Sequence, residues 1–559
     1  MLRTLAAAWL MLAASIAAAE DFDVLIRGGT VYDGSGAPGR KIDVGLRGDR
    51  IVAIGKLRDK TAKQTVNAAG LAVAPGFINM LSWATDSLLV DGNSQSDIRQ
   101  GVTLELLGEG MTMGPLNDAM KQQFGPRMRK LGVDLSWTTL GQYLELLEKR
   151  GVSPNVASFV GATTVRLHVI GAANRAAVPT ELQAMQQLVR DAMQEGAFGV
   201  SSALAYAPAT FANTDELIAL SKAAAEFGGI YISHIRDEGD RLVESVEEVI
   251  EIARSARVPA EIYHLKALGA PNWNKLDIVI DRIEAARKAG VRITADMYPY
   301  TASATGLDVT MPPWVQDGGL DAWVARLKDP AVRARLLEEM KAPSTPTWSN
   351  RLRNVGSPEN VLILGVKSPG LQSIVGKTLG AVARERGTSV EDTVIDLVIE
   401  DGSRLQVAYF LMSEENIRRA ISLPWMSFGS DAGSPTVETA VSQGPEHPRA
   451  YGTFARVLGK YVREDKVVSL EEAVRRLSSL PAQTLGIEDR GRIEVGRYAD
   501  VVIFEPAAIA DRSTFADPHR YAIGMRHVFV NGVQVLADGE HTGARPGRFV
   551  RHRGRAVMQ

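Results

Sequence analysis

Two histidines and three acidic residues of this sequence stand at or just after the ends of apolar strand patterns. His234 lies near the end of GIYISHI, and His264 lies in AEIYHLK, the next such pattern along the chain. Glu109 follows VTLELLG, Asp296 lies in RITADMY and Asp431 ends WMSFGSD. The chain has only eight histidines and no cysteine, so imidazole and carboxylate groups are its candidate metal ligands.

Two imidazoles and one carboxylate form a donor set that suits a divalent ion such as zinc. Three protein ligands leave one position open for water, as hydrolysis requires, and a further carboxylate beside that water can accept its proton. The competing interpretation is that His234 and His264 are hydrogen-bonded core histidines. Their position at consecutive strand ends favours the metal site over that alternative.

Eight strand patterns alternate with amphipathic helical stretches, which is typical of parallel βα units. We predict a (β/α)8 barrel, in which side chains at the carboxyl ends of the strands meet at one mouth. Prolines interrupt the pattern between residues 307 and 376, and we predict an insertion over the mouth there. The eight patterns are AVAPGFINM, VTLELLG, NVASFVG, AFGVSSA, GIYISHI, AEIYHLK, RITADMY and WMSFGSD.

Both ends of the chain have the alternation and the Gly/Asp turns of antiparallel β structure. Two separated β-rich ends most simply share one small β-sandwich. We therefore predict a signal peptide over residues 1–19, a sandwich from residues 20–75 and 486–559, and the barrel with its insertion over residues 76–485.

The first residues predict export. Arg3 precedes an apolar run, and three alanines ending at Ala19 precede Glu20, so we expect cleavage after Ala19 and a periplasmic or secreted protein. No later run is long and apolar enough to predict a membrane anchor. The net charge of −2 does not indicate a nucleic-acid partner, so we expect a small-molecule substrate. Oligomeric state is left open.

At these residues the sequence resembles the N-acyl-D-amino-acid deacylase (D-aminoacylase) family of the amidohydrolase superfamily. The resemblance covers nearly the whole mature chain. Segments that carry it include VYDGSGAPG, LAVAPGFIN, QGVTLELLGEG, GGIYISHIRDEGDRL, HLKALGAPNW, TADMYPYTAS, FGSDAG and HPRAYGTFARVL.

The resemblance implies a role for each matching residue. His234 and His264 match the histidines that hold the tightly bound zinc. Asp431 matches the aspartate that activates the attacking water and returns its proton to the leaving amine. Lys266 and Tyr206 are placed similarly to residues that bind the substrate carboxylate, although a lysine there is also compatible with a salt bridge at the barrel rim.

Three departures from the family pattern concern the metal site. The histidine pair expected after the first strand is replaced by Leu81 and Trp83, neither of which can ligate a metal. The family's cysteine ligand is absent, and Glu109, one position earlier, is the candidate replacement. A further histidine expected after the third strand is Ala162. We therefore predict a mononuclear site with one zinc ion per chain, held by His234, His264 and Glu109.

The sequence favours a metal-dependent hydrolase of C–N amide bonds, most simply an N-acyl-D-amino-acid deacylase. One alternative is a non-catalytic binding protein on a degraded amidohydrolase scaffold. Another is an amidohydrolase of different specificity, such as a cyclic amidase or a dipeptidase. The orientation of Glu109 distinguishes the first two possibilities, because a three-ligand site requires its carboxylate to face both histidines.

Overall fold

The computed structural model describes residues 20–345, 347–440 and 446–554. The predicted leader therefore lies outside the described residues. The strands are β1 (Phe22–Arg27), β2 (Thr30–Val31), β3 (Arg40–Lys41), β4 (Asp43–Arg47), β5 (Arg50–Gly55), β6 (Ala62–Asn67), β7 (Ala72–Pro75), β8 (Phe77–Ser82), β9 (Val102–Leu107), β10 (Asn155–Ser158), β11 (Val160–Gly161), β12 (Gly199–Ala203), β13 (Ile230–His234), β14 (Ala260–Ile262), β15 (Ile293–Met297), β16 (Ala302–Gly306), β17 (Val361–Gly365), β18 (Gln406–Phe410), β19 (Met426–Phe428), β20 (Val501–Phe504), β21 (Met525–Val530), β22 (Val533–Ala537) and β23 (Glu540–His541).

Residue types at the helix ends explain where many of the helices begin and end. The side chain of Asn213 accepts a hydrogen bond from the backbone of Glu216 at one helix start, and Gly196 takes a left-handed conformation after another. The α-helices are α1 (Ser87–Val90), α2 (Gln95–Ile98), α3 (Asp118–Lys130), α4 (Leu140–Arg150), α5 (Ala162–Val169), α6 (Pro179–Glu195), α7 (Thr214–Ala225), α8 (Leu242–Ala256), α9 (Lys275–Lys288), α10 (Leu320–Leu327), α11 (Pro330–Lys341), α12 (Arg351–Asn354), α13 (Leu379–Arg386), α14 (Val390–Asp401), α15 (Glu414–Ile421), α16 (Val437–Ala440), α17 (Arg449–Arg456), α18 (Leu470–Leu477) and α19 (Ser479–Leu485).

The predicted barrel is confirmed. Strands β8, β9 and β10 pair in parallel, as do β11, β12, β13, β14, β15 and β19. β10 and β11 are two halves of one strand interrupted at Phe159. A parallel bridge between Ser82 and Ala432 joins the first and last strands and closes the ring. The carboxyl ends of all eight strands therefore surround one mouth.

A β-sandwich is built from both ends of the chain, as predicted. One sheet has the order β5-β4-β1-β6, and the other has the order β23-β22-β21-β20-β7-β2-β3. Within the second sheet, β20 from the C-terminal part pairs antiparallel with β7 from the N-terminal part. The two sheets share one apolar core, in which Ile26 and Leu46 meet Val501 and Phe529. The exact domain boundaries stay a prediction.

The chain between the seventh and eighth barrel strands forms a compact unit with its own core. Strands β16, β18 and β17 form an antiparallel sheet there, and α10, α11 and α14 pack on one another. The core of this unit includes Leu307, Trp323, Ile363 and Leu411. The unit thus continues well past residue 376, where the predicted insertion ends. Among the described residues, no helix is long and apolar enough to cross a membrane.

Candidate metal centre

Three side chains converge at the carboxyl ends of barrel strands. His234 is the last residue of β13, while Glu109 and His264 each lie two residues beyond the ends of β9 and β14. The Glu109 Oε1 atom lies 2.9 Å from His234 Nδ1 and 3.1 Å from His264 Nε2, and the two nitrogens lie 2.9 Å apart. All three side chains are buried.

This triad fits a divalent metal ion. A tetrahedral ion with bonds of about 2.0–2.1 Å separates its ligand atoms by about 3.3 Å, close to the three observed separations. The other ring nitrogen of His234, Nε2, lies 3.7 Å from Oε2 of Glu238. A carboxylate beside the second ring nitrogen is usual for a histidine whose first nitrogen binds a metal. The geometry and the donor types together favour a ligand role over a core role.

The charges of the triad depend on one another. Burial alone would raise the pKa of Glu109, but hydrogen bonds from His234 and His264 hold that pKa below its usual range. Burial and Lys266 lower the pKa of His264, yet Asp431, Glu109 and Glu238 together raise it to about 10. The Glu109 carboxylate and the His264 imidazole therefore stabilise each other's charged forms.

Lys266 and Glu238 lie beside Nδ1 of His264, on the side of the ring that faces away from Glu109. The Lys266 ammonium lies 2.7 Å from His264 Nδ1 and donates hydrogen bonds of 2.9 Å to the His264 carbonyl and 2.5 Å to Glu238 Oε1. Oε1 of Glu238 is also 3.2 Å from His264 Nδ1. The backbone N–H of His264 donates to Asp296, 2.9 Å away. These contacts fix the orientation of the imidazole.

Asp431 lies beside the triad and is held from two sides. Its Oδ2 forms an ion pair of 2.7 Å with Arg449, and its Oδ1 accepts a hydrogen bond of 3.2 Å from the Trp83 indole. The same indole N–H lies 2.8 Å from Glu109 Oε2. Burial raises the pKa of Asp431 above its usual range, although Arg449 lowers it. Trp83 thus connects the triad to a carboxyl group that can exchange protons.

The backbone of two site residues adopts left-handed dihedral angles. His264 has a φ of 34° and Asp431 a φ of 49°. Non-glycine residues rarely adopt such angles, and the strain is of order 1–3 kcal/mol for each residue. The backbone N–H of Asp431 is anchored to the Leu81 carbonyl, 2.9 Å away. The fold therefore keeps these residues in a costly conformation at the barrel mouth.

Tyr206 lies beside the triad, but its hydroxyl group is not part of it. The Tyr206 ring centroid is 5.0 Å from that of His234, and the Arg404 guanidinium lies 4.9 Å from the Tyr206 ring centroid. Burial raises the pKa of Tyr206 well above its usual range, so its hydroxyl stays protonated.

Leu81 is buried in an apolar cluster with Ile78 and Met80.

Three residues near the centre were not assigned a role from the sequence. These are Trp83, Glu238 and Arg449. Glu238 and Arg449 lie in the segments HIRDEGD and HPRAYG, which carry part of the family resemblance, so their neighbourhood could have been noticed. Trp83 was considered only as a lost ligand. Its hydrogen bonds bridge two residues that are distant in sequence and become apparent only in three dimensions.

The chain is similar to several known hydrolases along most of its length. Residues 132–536 match the sequence profile of the amidohydrolase family. D-aminoacylase from Alcaligenes xylosoxydans xylosoxydans is 35% identical over 95% of this chain and 98% of its own length.

Two solved structures resemble the whole fold, each covering 95% of this chain and all of its own. One is D-aminoacylase, 33% identical with a TM-score of 0.78, for which a binuclear metal centre with one-metal activation and second-metal attenuation is described. The other is N-acyl-D-glutamate deacylase from Bordetella bronchiseptica with zinc and a phosphonate inhibitor that mimics the tetrahedral intermediate. It is 30% identical, with a TM-score of 0.77.

Proposed function

Since this chain belongs to the amidohydrolase family, we propose that it hydrolyses the amide bond of N-acyl-D-amino acids, releasing a carboxylate and a D-amino acid. The observation that carries the proposal is the convergence of Glu109, His234 and His264 beside Asp431. A scaffold that only binds ligands has no need for three buried metal donors beside a carboxyl group of raised pKa. The orientation of Glu109 thus favours an enzyme over the binding-protein alternative.

The proposed cofactor is one zinc ion per chain, held by Glu109, His234 and His264. A bound divalent ion would supply Lewis acidity that polarises the amide carbonyl and lowers the pKa of water. Leu81 and Trp83 cannot serve as ligands of a second ion. The one-metal activation described for the related D-aminoacylase supports an active mononuclear site.

Asp431 is the proposed general base and acid. It takes a proton from the attacking water as the new C–O bond forms, and it gives a proton to the nitrogen as the C–N bond breaks. Arg449 and Trp83 hold one carboxylate oxygen each, so the group is oriented before the substrate arrives. Its raised pKa makes it a better base than an ordinary exposed aspartate.

Lys266 and Tyr206 are proposed to face the carboxylate of the substrate. The Lys266 ammonium donates to Glu238 Oε1 and to the His264 carbonyl, and it lies 2.7 Å from His264 Nδ1. With Nε2 of His264 as the metal ligand, Nδ1 would carry the proton and face Glu238 Oε1, 3.2 Å away. The third Lys266 donor would then be available to an anionic substrate.

We place the mature protein in the periplasm or outside the cell, on the basis of the leader sequence at residues 1–19. N-terminal sequencing of the exported protein tests this placement, with Glu20 expected as the first residue. An intact N-terminus on protein recovered from the cytoplasm would contradict it.

A substrate panel tests the proposed function. Metal-free protein is reconstituted with zinc and assayed on matched N-acyl-D- and N-acyl-L-amino acids. We expect hydrolysis of D-substrates, saturating at about one equivalent of zinc, and loss of both zinc and activity in His234→Ala. Half-buried His519, whose ring contacts Tyr451 and no member of the triad, provides the matched control, since His519→Ala should change neither. Hydrolysis of cyclic amides or dipeptides alone would favour the alternative specificities.

A further inference from the structure

A cavity of about 630 Å³ opens beside the metal centre, and none of the residue roles proposed above involves it. Most of its lining comes from the segments that follow three adjacent barrel strands, β8, β9 and β19, and Gln406 of the inserted unit completes it. Trp83 and Gly108 line it next to the centre, and Gly433 lines it close to Asp431 in sequence. The cavity therefore lies at the mouth of the barrel, where substrates bind in this fold. Its volume is within the range of small-molecule sites.

The wall of this cavity is mainly apolar. It is formed by the segment after β9 and by helix α3, with the side chains of Met111, Met113, Leu116, Phe124, Met128 and Leu131. Thioether and aliphatic groups of this kind adapt to flexible apolar ligands.

The charged groups around the cavity are not arranged to hold an anionic ligand. Arg127 is the one cation among the described residues that line it, and it is paired with Asp86. Asp91 is paired with Arg545, 3.0 Å away. Burial raises the pKa of Glu446, another lining residue, to about 7. An apolar ligand is therefore favoured over a charged one.

Trp83 separates this cavity from the cationic side of the centre. Oε1 of Glu109 faces the two imidazoles, whereas its Oε2 faces the Trp83 indole. The two carboxylate oxygens of Asp431 also face different partners: Oδ2 faces Arg449 and Oδ1 faces Trp83. Arg449 and Lys266 thus lie on one side of the two carboxylates, and the apolar cavity lies on the other.

An N-acyl-amino acid matches this arrangement. It has an anionic carboxylate at one end and an apolar acyl chain at the other, with the amide bond between them. We infer that the cavity binds the acyl chain of the substrate and that the preferred substrates carry a medium or long aliphatic acyl group instead of acetyl. This inference rests on the proposed function for the reaction, but the cavity can be tested without turnover.

The first test is a chain-length series on the zinc-loaded wild-type enzyme. Acetyl, butanoyl, octanoyl and dodecanoyl derivatives of one D-amino acid are compared by kcat/KM. Burial of one methylene favours binding by up to about fourfold, so kcat/KM should rise over the series by at least 100-fold until the cavity is filled. A flat or falling series, with acetyl preferred, would overturn the inference while leaving the deacylase function intact.

The second test fills the cavity. Leu131→Trp should reduce kcat/KM for the dodecanoyl substrate by at least tenfold and leave the acetyl substrate nearly unchanged, because the centre itself is not altered. Exposed Leu320, on α10, offers the matched control. Leu320→Trp should behave as the wild type on both substrates. Equal effects of Leu131→Trp on both substrates would contradict the inference.

A binding measurement tests the cavity independently of catalysis. Dodecanoate is titrated into the zinc-loaded protein by calorimetry, with acetate as the reference. We expect dodecanoate to bind at least 100-fold more tightly than acetate, and Leu131→Trp to remove most of that difference. If no N-acyl-D-amino acid is hydrolysed but this pattern holds, the proposed function fails and the cavity inference stands. Equal affinity for the two acids would overturn the inference.

Discussion

The indole Nε1 of Trp83 lies 2.8 Å from the Oε2 atom of Glu109. Trp83 occupies a position at which the family resemblance leads one to expect a metal-binding histidine. Here the side chain binds a proposed ligand instead of an ion. By holding Oε2, Trp83 leaves Oε1 directed at His234 and His264. Trp83 thus orients the proposed metal site instead of ligating an ion.

Trp83→Phe should weaken metal binding by about tenfold, because it keeps the ring but removes the N–H that orients Glu109. The affinity for zinc is measured by competition with a chromophoric chelator. The matched control is Trp273→Phe, since Trp273 is partly exposed and donates to a backbone carbonyl, that of Leu411. An unchanged affinity in Trp83→Phe would show that Glu109 is oriented without the indole.

Restoring histidines at positions 81 and 83 should not create a second metal site. Leu81 is buried among apolar side chains, and its Cβ lies close to where a side chain on Gly429 would begin. Placing a polar imidazole among these apolar side chains costs about 1–3 kcal/mol. The double variant Leu81→His, Trp83→His should therefore melt at a lower temperature and still hold about one equivalent of zinc. Two equivalents by elemental analysis would contradict this prediction.

Arg449→Met should move the acidic limb of the kcat/KM profile to higher pH. Asp431 acts as a base only when it is ionised, and Arg449 lowers its pKa against the effect of burial. Without the guanidinium, the pKa rises further, so activity is lost at a higher pH as the solution is acidified. Arg449→Lys retains a positive charge and should restore much of the original profile. An acidic limb at the same pH in all three proteins would show that the ionisation controlling the rate is not that of Asp431.

Glu261→Gln should make stability less dependent on pH. Burial and the neighbouring Asp296 raise the pKa of Glu261 to about 8 in the folded protein, against about 4.3 in an unfolded chain. The folded state binds the proton more tightly, so this stabilisation is fully present below about pH 4 and is lost as the pH rises through about 8.

Chemical denaturation at about pH 5 and pH 8 measures the effect. The wild type should lose about 1–3 kcal/mol of unfolding free energy from this group over that interval, and Glu261→Gln should lose less. Thr294 and Ser427 contact the Glu261 carboxyl, and both hydroxyls can also bond an amide. Exposed Glu251 provides the control, since Glu251→Gln should follow the wild type. Parallel losses in all three proteins would contradict the assignment.

The barrel could be predicted from the sequence because the spacing of apolar residues distinguishes strands from helices and the order of these elements indicates a parallel sheet. Alternating strand and helix patterns specify the parallel barrel, and the carboxyl ends of its strands then meet at one mouth. That rule selects five residues, Glu109, His234, His264, Asp296 and Asp431. The first three converge and Asp431 lies beside them, whereas Asp296 accepts a hydrogen bond from the His264 backbone. Their sequence separations say nothing about distance, but the topology of the closed ring does.

The contacts between loops could not be predicted in this way. Trp83 and Asp431 are 348 residues apart in sequence, and their hydrogen bond depends on the bridge that closes the barrel. Likewise, the three partners of Lys266 depend on loop geometry that has no periodic signal. The extent of the inserted unit was also underestimated, because β18 and Leu411 lie beyond the last irregular, proline-containing stretch.

The central claim is that a single-metal centre acts together with Asp431 to hydrolyse an amide, and Asp431→Asn tests it most directly. The amide keeps the shape of the side chain and its contact with Trp83 while removing the basicity. The measurement is kcat on an N-acyl-D-amino acid, with the zinc content determined on the same sample. We predict about one equivalent of zinc in both proteins and a fall in kcat of about 10²–10⁴-fold in the variant. Full activity in Asp431→Asn, or no activity in the zinc-loaded wild type across the panel, would contradict the account.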